Sequence, residues 1–111
     1  MTRMLFAAAL AALPLSAAAQ DAPPPEANRL FMLKIAQSVD DRCRIMPPDV
    51  RREFDGRVAK LAAAVEPKVG RAVIDEMTRT APERAAAHGN SCDERTKRFL
   101  EGSYAQSSAP P

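Results

Sequence analysis

Two cysteines, Cys43 and Cys92, stand 49 residues apart in a chain of only 111. Whether they are thiols or a bridge decides what a chain this short can fold into, and the compartment decides which. The chain opens MTRMLFAAALAALPLSAAAQ. Arg3 gives a positive start, Met4 to Leu15 is an uncharged apolar run, and Ala17 and Ala19 stand as an A-x-A cleavage signal before Gln20. This is the pattern of a secretory signal peptide. The run is shorter than the roughly 20 residues a membrane-spanning helix needs. Residues 1–19 are therefore expected to be removed. The remainder is expected to be periplasmic or secreted, without stable membrane insertion. Its Ala- and Arg-heavy usage suits a bacterial periplasm.

In an oxidising compartment an even cysteine count in a small domain reads as a disulfide. Magnitudes point the same way. Closing a loop of this length destabilises the unfolded chain by about 4 kcal/mol in the chain-entropy picture. A helix terminus or a neighbouring cation favours a thiolate by only about 0.3–1 kcal/mol. A Cys43–Cys92 staple is expected, and a thiol-redox role is the alternative, since Arg42 and Arg44 flank Cys43 and both settings lower a thiol pKa. His88 lies four residues before Cys92, a spacing that suits a metal only on one unbroken helix. Gly89-Asn90 breaks that helix, and no second histidine exists to complete a ligand set. No metal and no other cofactor is expected.

Helical periodicity recurs along the rest of the chain, and no stretch alternates like a strand. The expected fold is all-α: a small bundle of four to five short helices stapled by one disulfide. A proline-rich leader (20–28) precedes a helical domain (29–102), and a tail of disordered composition (103–111) follows. The first helix is placed at about Pro25 to Cys43, with Phe31, Met32, Ile35, Ala36, Val39 and Cys43 on one face. In the second, opening at Pro47-Pro48, Val50, Phe54, Val58, Leu61 and Val65 form a seam, and Pro67 ends or kinks it. Val69, Val73, Ile74 and Met77 mark the third. TAPE (Thr80 to Glu83) reads as a capping box that starts a short fourth helix, closed by Gly89. SCDE (Ser91 to Glu94) reads as another, placing Cys92 in the first turn of a last helix that ends near Gly102.

The function classes narrow accordingly. Removing Arg3 from 16 basic residues leaves 15 against 14 acidic ones, mixed along the chain, with few aromatics. No one-signed surface or stacking platform for nucleic acid follows from that. With one histidine, no nucleophile elbow and no glycine-rich phosphate loop, catalysis is not expected either. The expected role is non-catalytic binding of a protein partner or of a second copy of the chain. Leu30 and Leu33, one turn apart and off the first helix's main stripe, are the candidate interaction patch; the plainer alternative is that another helix covers them. In outline (small, helical, exported, one long disulfide loop) the chain is similar to periplasmic acid-stress chaperones. It lacks the tryptophan those carry near their first cysteine, so the likeness extends to architecture alone. It implies an alternative role, in which acid protonates the carboxylates and charge repulsion loosens the helices to expose apolar seams.

Overall fold

A computed structural model describes residues 23–88 and 91–110. The expected signal segment, the start of the leader and the expected capping residue Gly89 lie outside those residues. Among the described residues there are four helices and no strand: α1 Pro25–Cys43, α2 Pro48–Val69, α3 Arg71–Ala87 and α4 Glu94–Ser107. No helix among them is long and apolar enough to cross a membrane.

Helix α1 is the centre of the structure. Its buried residues are Ala27, Leu30, Leu33, Ile35, Ala36, Val39 and Asp40. At 100° per residue they do not share an arc; Leu33 and Ile35, for example, stand about 160° apart. A helix whose buried residues are spread round its axis needs more than one neighbour, and α2, α3 and α4 each pack against α1. The expectation of one inner stripe fails for this reason. Leu30 and Leu33, 0% and 1% exposed, are core residues rather than an interaction patch, whereas Met32 is 42% exposed. Helices α2 and α4 run opposite to α1 and α3. Glu26 at the start of α1 meets Lys68 at the end of α2, and Arg29 meets Ala109 just beyond α4. The expected α2 seam is present, with Phe54, Val58, Leu61 and Val65 all buried and Val50 half-buried.

The helix joints differ most from expectation. Pro67 neither ends nor starts a helix; α2 continues to Val69, and Gly70 makes the break. Gly70 has φ 92° and ψ 154°, a region essentially restricted to glycine. TAPE is not a cap. The Thr80 hydroxyl donates back to the Glu76 carbonyl at 2.9 Å, and α3 runs through Pro82. A proline inside a helix costs about 3 kcal/mol. Here it sits on the exposed side of a helix whose Ala81 and Ala85 are buried, so packing of the small residues holds the turn together. The expected cap at Ser91 is displaced to Asp93, whose side chain accepts from the Thr96 N–H at 3.1 Å. Cys92 therefore precedes α4 instead of lying in its first turn. Helix α4 continues to Ser107, so residues 103–107, assigned to a tail by composition, are helical; the buried Leu100 and Ser103 keep this last turn packed.

One carboxylate organises the α1–α2 joint. Asp40, 2% exposed, accepts on Oδ1 from the N–H groups of Ile45 and Met46 at 2.8 and 2.9 Å. Its Oδ2 takes the Arg51 guanidinium at 3.1 Å. Arg51 also reaches Asp41 at 2.9 Å and Asp55 at 2.7 Å. Burial works against its charge, but the carboxylates of Asp55, Asp41 and Asp40 outweigh that and hold its pKa above the ordinary value. Arg44, in the left-handed region at φ 53°, donates its N–H to the Asp40 carbonyl at 2.7 Å. A left-handed non-glycine residue costs about 1–2 kcal/mol, and the Asp40 bonds that follow it in the chain offset this. Asp40→Ala would leave two loop N–H groups without their acceptor, each worth about 1–3 kcal/mol when buried. We expect Asp40→Ala to lower unfolding stability by about 2–4 kcal/mol in a urea titration with the bridge intact, and Asp40→Asn by less. A loss below about 1 kcal/mol for the alanine variant would show that the joint does not depend on this carboxylate.

Candidate functional site

Cys43 and Cys92 are brought together. Their sulfurs are 2.02 Å apart, at bonding distance, with Cα atoms 5.5 Å apart. The pair is at the surface rather than inside the core, with Cys43 half-buried and Cys92 exposed. It ties the end of α1 to the approach of α4. Cys92 lies just ahead of Asp93, the residue that caps α4. His88 ends α3 and stacks on Phe99, ring centroids 5.7 Å apart and planes at 23°. Among the described residues no group of three or more His, Cys, Asp or Glu stands where it would hold a metal ion.

The apolar surface left open lies elsewhere. Along α3, Ile74, Ala81 and Ala85 are core, whereas Val73 is 42% exposed. The face that carries Val73 borders a groove of about 960 Å³ between α3 and the first half of α1. Val69, Val73 and Met77, at spacings of four, line one wall, and Ala27 and Phe31 line the other. The charges at its rim are of both signs. The Arg84 guanidinium lies 5.7 Å from the centroid of the Phe31 ring, within cation–π range. Near the start of α1, Lys68 donates to Glu26 Oε1 at 3.2 Å. The Glu26 backbone N–H and the Lys68 ammonium together hold the Glu26 carboxyl below its ordinary value.

Val69, Val73 and Met77 were visible in the sequence as a helical stripe, but a stripe alone does not say whether it is covered. Here Val69 and Met77 are half-buried against the core, and Val73 is the exposed member. The chain matches no family model, and comparisons with curated proteins and with solved structures find no match either.

Two measurements follow from this geometry. Replacing both cysteines by serine is expected to lower unfolding stability by about 4 kcal/mol, read from the urea midpoint; no change would mean the bridge constrains nothing. The second concerns acid. Glu26 and Asp93 both have pKa values depressed in the fold, from 4.5 and 3.8, the latter chiefly by the Thr96 N–H. A depressed carboxyl contributes stability above its unfolded pKa and loses it as pH falls through the folded value. Glu26→Gln should therefore lower the Tm at pH 7, and the difference from wild type should vanish progressively below pH 4.5. A difference that stays constant into acid would remove the ionised Glu26 from the account.

Proposed function

We propose that this chain is an exported, non-catalytic interaction module whose α1–α3 groove receives an amphipathic helical segment of a partner protein. The observation that carries this reading is the α1–α3 groove, where the exposed Val73 stands between the half-buried Val69 and Met77 and across from Phe31. From Ala72 to Arg84 the α3 side of the groove is about 18 Å long, enough for roughly three turns of a partner helix. A segment with apolar residues at i, i+3/i+4 and i+7 would fit the wall, and flanking charges of both signs would suit a rim that holds Lys68, Glu76, Glu83 and Arg84. The bonded cysteine pair supports an oxidising, extracytoplasmic setting, where such bridges persist.

A second reading, acid-activated chaperoning, is favoured by the ion pairs that link elements. Glu26–Lys68 joins α1 to α2, and Asp40 and Asp41 join α1 to Arg51 of α2. All of these carboxylates would be neutralised in strong acid, so the apolar seams would open only then.

The test places a photo-cross-linking residue at Val73 in cells that export the protein, with the same residue at the exposed Arg98 as control. A discrete adduct in the extracytoplasmic fraction at neutral pH, absent from the control and lost on Met77→Asp with an unchanged circular dichroism spectrum, is the expected result. An adduct from both positions, or from neither, would reject the groove. Binding of an apolar dye that begins only in acid would transfer the assignment to the chaperone reading.

A further inference from the structure

A second cleft, of about 390 Å³, lies on the side of the molecule where α1 and α2 meet the C-terminal end of α4. Its lining includes Arg29, Arg57 and Lys60 with Leu61 behind them, and no acidic residue. We propose that this cleft is a binding site for a phosphate-type oxyanion, gripped by Arg29, Arg57 and Lys60.

The geometry separates the three cations by role. Arg57 is anchored: it donates from Nη1 to Ser107 Oγ at 3.2 Å, reaches Glu53 at 3.4 Å, and lies 4.8 Å from the centroid of the Tyr104 ring. Glu53 in turn accepts from the Tyr104 hydroxyl, so its charge is shared and it stands outside the cleft lining. Arg29 donates from Nη1 to the Ala109 carbonyl at 3.2 Å, while its Nε is buried without a hydrogen-bond partner. Lys60 is exposed, and among the described residues no hydrogen bond or ion pair engages it. The Ser107 and Ser108 hydroxyls donate to the Tyr104 and Ala105 carbonyls at 2.6 and 2.8 Å. The protons left to meet a ligand are therefore those of cations, which select charge.

A plainer role accounts for part of the cluster. Helix α4 has no basic residue in its own last turn. Arg57 and Arg29, donating to Ser107 and Ala109, supply from other helices the positive charge that a helix C-terminus favours. That explanation covers neither Lys60 nor the unpartnered Nε of Arg29. The Arg29 charge acts on Glu26 and Arg57 pairs with Glu53, so Lys60 is the cation of the three that no ion pair engages among the described residues. A phosphate monoester carries about −1.5 to −2 at pH 7 and offers three acceptor oxygens. Arg57 and Arg29 offer forked donors to such a group, and Lys60 a mobile point charge. The cleft is larger than an inorganic phosphate, and Leu61, Ala109 and Pro110 give the remaining volume an apolar wall.

The test is an amide-resolved NMR titration of the whole exported chain with inorganic phosphate, at constant ionic strength set with chloride. Saturating shifts at residues 57–61 and 107–109 are expected, with the midpoint raised about tenfold in Lys60→Gln and the fold unchanged by circular dichroism. Vesicles of phosphatidylcholine with and without phosphatidylglycerol identify the source of the group. Cosedimentation that needs the anionic lipid and is lost in Lys60→Gln assigns it to a headgroup; phosphate saturation alone assigns it to a soluble ester. Shifts that chloride reproduces, or phosphate saturation that Lys60→Gln leaves within twofold, overturn the site.

Discussion

The structure depends on one constraint: the residues α1 buries are spread round its axis, so one neighbour cannot cover them. Each other feature can be derived from that requirement. Enclosing a helix of 19 residues takes three neighbours, and the described chain provides them in an up-down-up-down order. The joints must then be tight, because little chain remains between helices. Gly70 accomplishes one joint with a backbone conformation closed to other residues, and Asp40 accomplishes another by accepting the loop's own N–H groups. The third connection, from α3 to α4, is the one the disulfide reinforces, tying the end of α1 to the residue just ahead of α4.

Asp40 shows why a buried carboxylate is worth its desolvation here. An isolated charge at its depth would be strongly unfavourable. It accepts from two backbone donors and faces Arg51, which is itself shared with two further carboxylates that stay partly in solvent. The arrangement puts the costly group where loop N–H groups would otherwise be orphaned, so two desolvation problems cancel. The same economy explains the tolerance of Arg44 in the left-handed region one residue before the first of those donors.

Local patterns were readable where a residue's neighbours in sequence are also its neighbours in space. The boundaries of α1, the α2 seam from Phe54 to Val65 and the pairing of Cys43 with Cys92 are of that kind, or follow from chain length and compartment. Patterns that compete with packing were misread. Thr80 and Glu83 have the spacing of a cap, yet buried Ala81 and Ala85 keep α3 continuous across Pro82. Leu30 and Leu33 lie off a stripe that has no meaning on a helix whose buried residues are spread round its axis. Ser91 lost the cap to Asp93, two residues on, since either side chain is suited to the role and the path of the disulfide-bonded chain selects one. The groove was legible only in pieces. Val69, Val73 and Met77 declared a face, but nothing local tells which of them the core will take.

The first half of α3 serves the core on one face and solvent on the next. Ile74 is buried, Val69 and Met77 pack against the core, and Val73 stays exposed beside them. Val73 can therefore be varied at little cost to the core, which is the property a binding surface requires. The groove also stands on helices fixed at both ends, by the Gly70 joint and the Lys68–Glu26 pair on one side and by the packing of Ala81 and Ala85 on the other. A partner helix would therefore meet a preformed trough and lose its own conformational freedom without having to order the module as well. The rigidity of α3 and the availability of Val73 thus have the same origin: Ile74, Ala81 and Ala85 hold the helix to the core by one face and leave the adjacent face at the surface.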